Sequence, residues 1–190
     1  MAATPWARCS WAGSDVLMTA YHDEEWGVPV HGDVELFERL ALESFQAGLS
    51  WSTILRKRET FRAAFEGFDP SVVAAYDDAD RARLMADAGI VRNAAKIDAT
   101  IGNAAAMLDT AAEFGSFDAY LATMIPPPPL RLGSSARMGD IPATTEASDR
   151  LSADLKRRGF RFVGSTIVYA FMQSVGLVDD HLPECFRYQG

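Results

Sequence analysis

The stretch "DDHLPEC", residues 179–185, puts a histidine and a cysteine four positions apart, His181 and Cys185. Imidazole nitrogen and thiolate sulfur are ligand types that zinc favours. The chain has one other cysteine, Cys9, and His22 follows it in "AYHDEEWG". Cys9, His22, His181 and Cys185 would together form a Cys2His2 set. Four protein ligands leave no open position, so such a site would be structural and would tie the N-terminal segment to the C-terminal one. Spacing alone leaves a second reading open, in which the cysteines are ordinary thiols and His181 is a surface residue beside two aspartates. Pro183 opposes a regular helix between His181 and Cys185, so a turn must present them. His31, between Val30 and Gly32, has no companion ligand and reads as a loop residue.

A second feature is a carboxylate on an apolar stripe. Glu43 shares a helical face with Leu36 and Leu40, and an inward carboxylate is costly unless paired or hydrogen-bonded. Trp11, Tyr21, Trp26 and Trp51 lie near it along the chain, with Trp6 before them. Aromatic faces and one buried acid suit a flat, heteroaromatic, cationic ligand: stacking supplies contact area, and the carboxylate supplies hydrogen bonds and counter-charge. On composition alone, the favoured reading is that these aromatics are a packed core with Glu43 at its edge. A third feature is "LMADAGIVRNAAKI", residues 84–97, a tight turn between two helices. Gly89 permits close backbone approach there, the following helix N-terminus favours an anion, and Arg92 and Lys96 add local positive charge. Two further basic clusters, "RKR" at 56–58 and "KRRGFR" at 156–161, read as solvated faces or as part of a local basic surface.

The elements that must position these residues read almost entirely as helices. Residues 33–47 follow an aspartate at a plausible N-cap, Asp33, and stop at Gly48. Ser50 caps the segment that begins at Trp51. Asp69 followed by Pro70 is a cap and first-turn proline. The helix in "DADRARLMADAG" closes at Gly89, Asn93 opens a longer one, Thr145 opens "TEASDRLSADLKRRG", and "GSTIVYAFMQSVG" is a core helix ending at Gly176. No segment alternates like a strand, so an all-α fold of about eight helices is expected. The "PPPP" at 126–129 belongs to a stiff surface loop over about 126–142. With 190 residues, a single domain over 1–190 is expected, and 48% hydrophobic content suffices for a sizeable core. Lys and Arg number 18 against 26 Asp and Glu, net −8, which weighs against a nucleic-acid partner unless a local basic face sits on an acidic body. No signal peptide or membrane span is apparent, and two cysteines make no disulfide framework, so a cytoplasmic protein acting as a monomer is the default.

Seven collinear segments carry a resemblance: "CSW", "AYHDEEWGVPV", "LFERLALESFQAGLSW", "ILRKRETFRAAFEGFDP", "DAGIVRNAAKI", "KRRGFRFVGSTIVYAFMQSVGLVDDH" and "CFRY". From Cys9 to about Tyr188 the chain resembles the bacterial 3-methyladenine DNA glycosylase I family, a divergent branch of the helix-hairpin-helix glycosylases. The match is weakest over 105–142. The resemblance implies an all-α fold of two helical lobes with a base pocket between them, and a structural zinc on Cys9, His22, His181 and Cys185. It implies that Glu43 and Tyr21 hydrogen-bond the base, with Glu43 giving electrostatic help to catalysis. Trp51 would stack on the base, with Trp11 and Trp26 near the pocket. A DNA-binding helix-hairpin-helix is expected over about 78–105, carrying Gly89, Arg92 and Lys96. The implied reaction is flipping and hydrolytic excision of 3-methyladenine from alkylated double-stranded DNA, without a lysine nucleophile and without strand cleavage. Ser44 stands where family members often have glycine, and Met18 where some have an aromatic. The alternatives are a non-cleaving lesion-binding protein of the same fold, a zinc hydrolase and a purely structural domain.

Overall fold

The computed structural model describes residues 7–189, so Trp6 lies outside the described part. Among the described residues there are nine α-helices: α1 (Val16–Glu24), α2 (Asp33–Gln46), α3 (Trp51–Ala64), α4 (Pro70–Val73), α5 (Asp78–Ala86), α6 (Ala94–Phe114), α7 (Phe117–Met124), α8 (Glu146–Arg157) and α9 (Ser165–Ser174). No helix among them is long and apolar enough to cross a membrane.

Most boundaries follow the local chemistry of the sequence. Ser50 accepts from the Thr53 amide at the start of α3, and Asp69 accepts from Ser71 ahead of Pro70. Asn93 accepts from Lys96 to open α6, and Thr145 exchanges hydrogen bonds with Ser148 to open α8. Each cap satisfies amides that have no intrahelical acceptor.

Two boundaries differ from the sequence reading. Gly32, not Asp33, is the N-cap of α2; the Asp33 carboxylate instead accepts from the Phe117 amide, 2.9 Å away, at the start of α7. At the other, α5 ends at Ala86 with Asp87 as its C-cap. Gly89 is close-packed rather than left-handed: a Cβ there would lie 2.9 Å from Asp87 Oδ1 and 3.1 Å from Thr60 Cβ. Helices α1 and α7 were not singled out in the sequence.

The expectation of a fold without strands also needs amending. Leu130–Arg131 (β1) and Val178–Asp179 (β2) form a two-residue parallel pair, Leu130 opposite Val178. Segments this short carry too few residues for a period-two pattern. The pair fastens the proline-rich stretch to the segment that leads into His181.

The buried apolar side chains form two clusters. The larger runs through α2 to α9 and includes Phe37, Phe45, Phe61, Phe65 and Phe171, all fully buried. The smaller holds Cys9, Tyr21, Trp26, Leu55, Leu182 and Cys185, with Trp11, Met18 and Ile141 against it. Trp51 packs on both, and the functional cavity lies where they meet.

Candidate active site and metal centre

A cavity of about 230 Å³ is lined by Trp11, Met18, Tyr21, Trp26, Glu43, Gln46, Trp51, Met138, Ile141, Ala170 and Gln173. Its aromatic wall comes from three places in the chain. Asp15 caps α1 by accepting from Leu17 and Met18, which sets the helix that carries Met18 and Tyr21. Ser50 sets Trp51 at the first position of α3. The Tyr21 and Trp51 ring centroids lie 5.1 Å apart, and those of Trp11 and Trp26 lie 4.9 Å apart at 70°.

Glu43 sits three residues before the end of α2 and is 3% exposed. Burial pushes its carboxyl up to about 8, a shift that the Arg39 guanidinium partly offsets. Its Oε2 is buried with no hydrogen-bond partner in the protein, and so are the indole nitrogens of Trp11 and Trp51. Unpaired buried polar groups are costly. Three of them among the cavity-lining residues, one carboxyl oxygen and two indole donors, describe a site shaped for a flat ligand with its own donors and acceptors. Tyr21 is held well above the ordinary tyrosine range, by burial first and then by the Glu43 charge, so its hydroxyl stays protonated. Behind Tyr21, Glu25 accepts hydrogen bonds from both Arg39 and Arg58, and the Arg39 guanidinium lies 5.9 Å from the tyrosine ring centroid.

The metal-ligand candidates converge beside this cavity. One ligand atom each from Cys9, His22 and Cys185 lie within 4.8 Å of one another, and all three residues are buried. The His181 ring centroid is 5.0 Å from that of His22, and His181 Nε2 is buried without a protein partner. Each histidine is oriented by a carboxylate on its other nitrogen: His22 Nδ1 is 2.7 Å from Asp23, and His181 Nδ1 is 2.6 Å from Asp179. That arrangement leaves Nε2 as the coordinating atom. The Leu182 amide donates to Cys9 Sγ and the Arg187 amide to Cys185 Sγ, each at 3.4 Å, as suits thiolate ligands. Burial pushes the Cys9 thiol up to about 12, so it needs a cation beside it to ionise. Cys9, His22 and Cys185 therefore form a group that could hold a metal ion, and His181 lies beside it, outside that group. The Phe186 amide also donates to the Ala7 carbonyl at 2.9 Å, so the two chain ends already meet at this centre.

The residues assigned from sequence to the DNA-gripping hairpin are placed differently from one another. Arg92 is exposed. The Gly89 amide already donates to Asp87 Oδ1 at 2.7 Å, and its carbonyl accepts from Thr60 at 2.7 Å. Lys96 is not a surface cation. It is buried, and its ammonium donates to the carbonyls of Phe45 at 2.8 Å and Ala47 at 2.6 Å. Its charge serves the C-terminal end of α2, where carbonyls lack intrahelical donors, and is not available to a phosphate. His31 pairs with Asp118 at the surface.

Sequence reasoning missed several cavity residues. Gln46 and Gln173 carried a signal: Gln46 follows Glu43 by three positions, on the same helical face, and Gln173 is a polar residue late in the apolar stretch "STIVYAFMQS". Asp23 and Asp179, one and two residues from the two metal-site histidines, carried one as well. Met138 and Ile141 carried none; the proline-rich segment brings them in from the surface.

The proteins similar to this chain are methyladenine glycosylases. The methyladenine glycosylase family profile matches residues 11–188. The chain is 48% identical to "DNA-3-methyladenine glycosylase 1" of Escherichia coli (strain K12) over 96% of this chain and 97% of that one. It is 42% identical to "DNA-3-methyladenine glycosylase" of Haemophilus influenzae over 94% of this chain and 96% of that one. A solved structure of 3-methyladenine DNA glycosylase I from Staphylococcus aureus, described as showing the basis of 3-methyladenine recognition, superposes with a TM-score of 0.90 at 36% identity, covering 94% of this chain and 95% of that one. With the family profile spanning nearly the whole chain and close relatives matching end to end, the chain belongs to the methyladenine glycosylase family and is a glycosylase enzyme.

Proposed function

We propose that the enzyme flips 3-methyladenine out of alkylated double-stranded DNA and hydrolyses its N-glycosidic bond, and that it does not cut the strand. The observation that carries this reading is the buried Glu43 carboxyl, unpartnered at Oε2 and set among Tyr21, Trp11 and Trp51. A base in a duplex must leave the stack before an enclosed pocket can take it. N3-methylation makes the adenine cationic in the nucleotide. A cationic ring stacks well on the Trp51 indole and draws the proton off Glu43, so the carboxylate forms where the cation binds.

In this mechanism Glu43 and Tyr21 fix the base by hydrogen bonds, and Glu43 stabilises positive charge on the sugar as the bond stretches. Water adds to C1′, the bond from C1′ to the base nitrogen breaks, and the base leaves as neutral 3-methyladenine with the water's proton released to solvent. The described residues lining the cavity include no lysine, which supports direct hydrolysis over a Schiff base. A zinc held by Cys9, His22, His181 and Cys185 would cross-link the two ends of the chain and take no part in the chemistry.

Phosphate contacts fall to Arg92, to Lys156 and Arg157 in the last turn of α8, and to Arg161 in the connection between α8 and α9, all exposed. That connection leads into α9, whose Gly164 N-cap offers no side chain to the first-turn amides and whose Ala170 and Gln173 line the cavity. A helix N-terminus of this kind favours a phosphate, so this pair of helices suits a helix-hairpin-helix role better than residues 78–105.

The test is mass-spectrometric identification of bases released from methylated duplex DNA. Release of 3-methyladenine with an unbroken strand is the expected result. No release by folded, zinc-loaded protein would turn the reading toward a lesion-binding protein of the same fold.

A further inference from the structure

We infer that Gln173 is a specificity-determining residue that accepts a hydrogen bond from the exocyclic amine of the flipped base, its carboxamide oriented by Asp180. The inference rests on the proposed base-excision activity and adds a contact from α9 to that of Glu43 on α2. Gln173 lines the cavity from α9. Its Nε2 donates to Asp180 Oδ2 at 2.7 Å. Asp180 is 2% exposed, and the same oxygen accepts a hydrogen bond from the Tyr169 hydroxyl at 2.6 Å. A carboxylate oxygen that receives two donors is an acceptor, so the amide nitrogen of Gln173 is committed to it. The carbonyl oxygen is then the end of the amide left for a ligand. The backbone is fixed too, because the Gln173 carbonyl accepts from the Gly27 amide at 2.9 Å, next to Trp26.

An amine at the purine 6-position carries two N–H donors. Glu43 can accept one and Gln173 Oε1 the other. A 6-oxo purine in the same place would set an acceptor against these acceptors. A site built around donors from the ligand rejects an analogue that lacks them, because its own buried groups are left unpaired. The Asp180 lock matters here, since an amide able to rotate would offer its nitrogen to an oxo group and lose the discrimination.

The test is a ligand-by-mutation cycle, read by calorimetry with free 3-methyladenine and with 3-methylpurine, which lacks the amine. Gln173→Met should weaken 3-methyladenine binding about tenfold, the size of one hydrogen bond, and leave 3-methylpurine nearly unchanged. Equal losses for both bases, or no loss, would overturn the inference. A second readout uses the wild-type protein: the side-chain carbonyl carbon resonance of Gln173 should move with 3-methyladenine and stay with 3-methylpurine, and equal movement would refute the contact. Wild-type protein that binds neither base and releases none from methylated DNA would defeat the proposed activity itself, and with it this inference. Release of 3-methyladenine without the amine-dependent difference would defeat the inference alone.

Discussion

The ring centroids of Tyr21 and Trp51 lie 5.1 Å apart with their planes tilted by 49°, although Tyr21 belongs to α1 and Trp51 opens α3. The relationship is held at both helix starts. Asp15 caps α1 with one carboxylate oxygen and accepts from Arg56 of α3 with the other, at 2.6 Å. The aromatic wall beside Glu43 therefore depends on how α1 and α3 pack, as well as on the presence of the rings.

Glu43 should respond to pH in both activity and stability. Its carboxyl is pushed from an ordinary 4.5 to about 8 by burial. The folded chain thus keeps a proton that the unfolded chain has already lost. The stability this contributes is full below the unfolded value and is lost as pH rises through about 8, an effect of a few kcal/mol. Glu43→Gln should be no more stable than wild type near pH 4 and more stable near pH 9, by chemical denaturation across that range. Excision should fall about 100-fold or more. In wild type kcat/KM should rise with pH toward 8 as the carboxylate forms. A fully active Glu43→Gln enzyme would rule out the role given to this residue.

The metal centre should fail in stability before it fails in chemistry. Cys185→Ser should lose its zinc, measured by elemental analysis, and lower Tm by about 10 °C, as a loss of about 3 kcal/mol would in a chain of this size. Asp179→Asn keeps all four candidate ligands and loses the carboxylate charge that lies 2.6 Å from His181 Nδ1 and 3.5 Å from Arg131 Nε. Chelator competition should show its zinc affinity about 10- to 100-fold weaker. Full zinc content and unchanged melting in Cys185→Ser would refute the structural assignment.

Lys96 and the exposed arginines should separate cleanly. Replacing Arg92 or Arg161 with alanine should reduce the slope of log affinity against log salt by roughly 0.9 each, the signature of a lost phosphate contact on duplex DNA. Lys96→Met should leave that slope unchanged and lower thermal stability, because two carbonyls at the end of α2 lose their donor. A lower slope in Lys96→Met would return the residue to the DNA interface.

Ser44 carries a hydroxyl that ties α2 to the segment ahead of α9. Its Oγ donates within α2 to the Leu40 carbonyl at 2.9 Å and lies 3.2 Å from the Phe162 carbonyl, in the connection between α8 and α9. Ser44→Ala should cost about 1 kcal/mol in denaturant unfolding, with excision of 3-methyladenine nearly unaffected. A large activity loss at wild-type stability would show that this hydroxyl tunes the pocket.

What the sequence determined by itself was local or chemical. Ser50, Asp69, Asn93 and Thr145 open their helices because a short acceptor side chain beside orphan amides is a nearest-neighbour effect. Two cysteines and two histidines stood out as candidate metal ligands because thiolate and imidazole are ligand types that zinc favours, and the structure groups Cys9, His22 and Cys185. Glu43 stood out because a charge on an apolar stripe is expensive wherever it occurs. The tertiary structure decided the rest, where the deciding partner is distant in sequence. Asp33 turns to α7, and Lys96 finds carbonyls of Phe45 and Ala47 instead of solvent. Met138 and Ile141 reach the cavity on a segment pinned by a two-residue strand pair. Gln173 becomes a directed acceptor only because Asp180 holds its nitrogen. A side chain's partner across the core is set by how the helices pack, and the type and spacing of residues along the chain do not encode that directly.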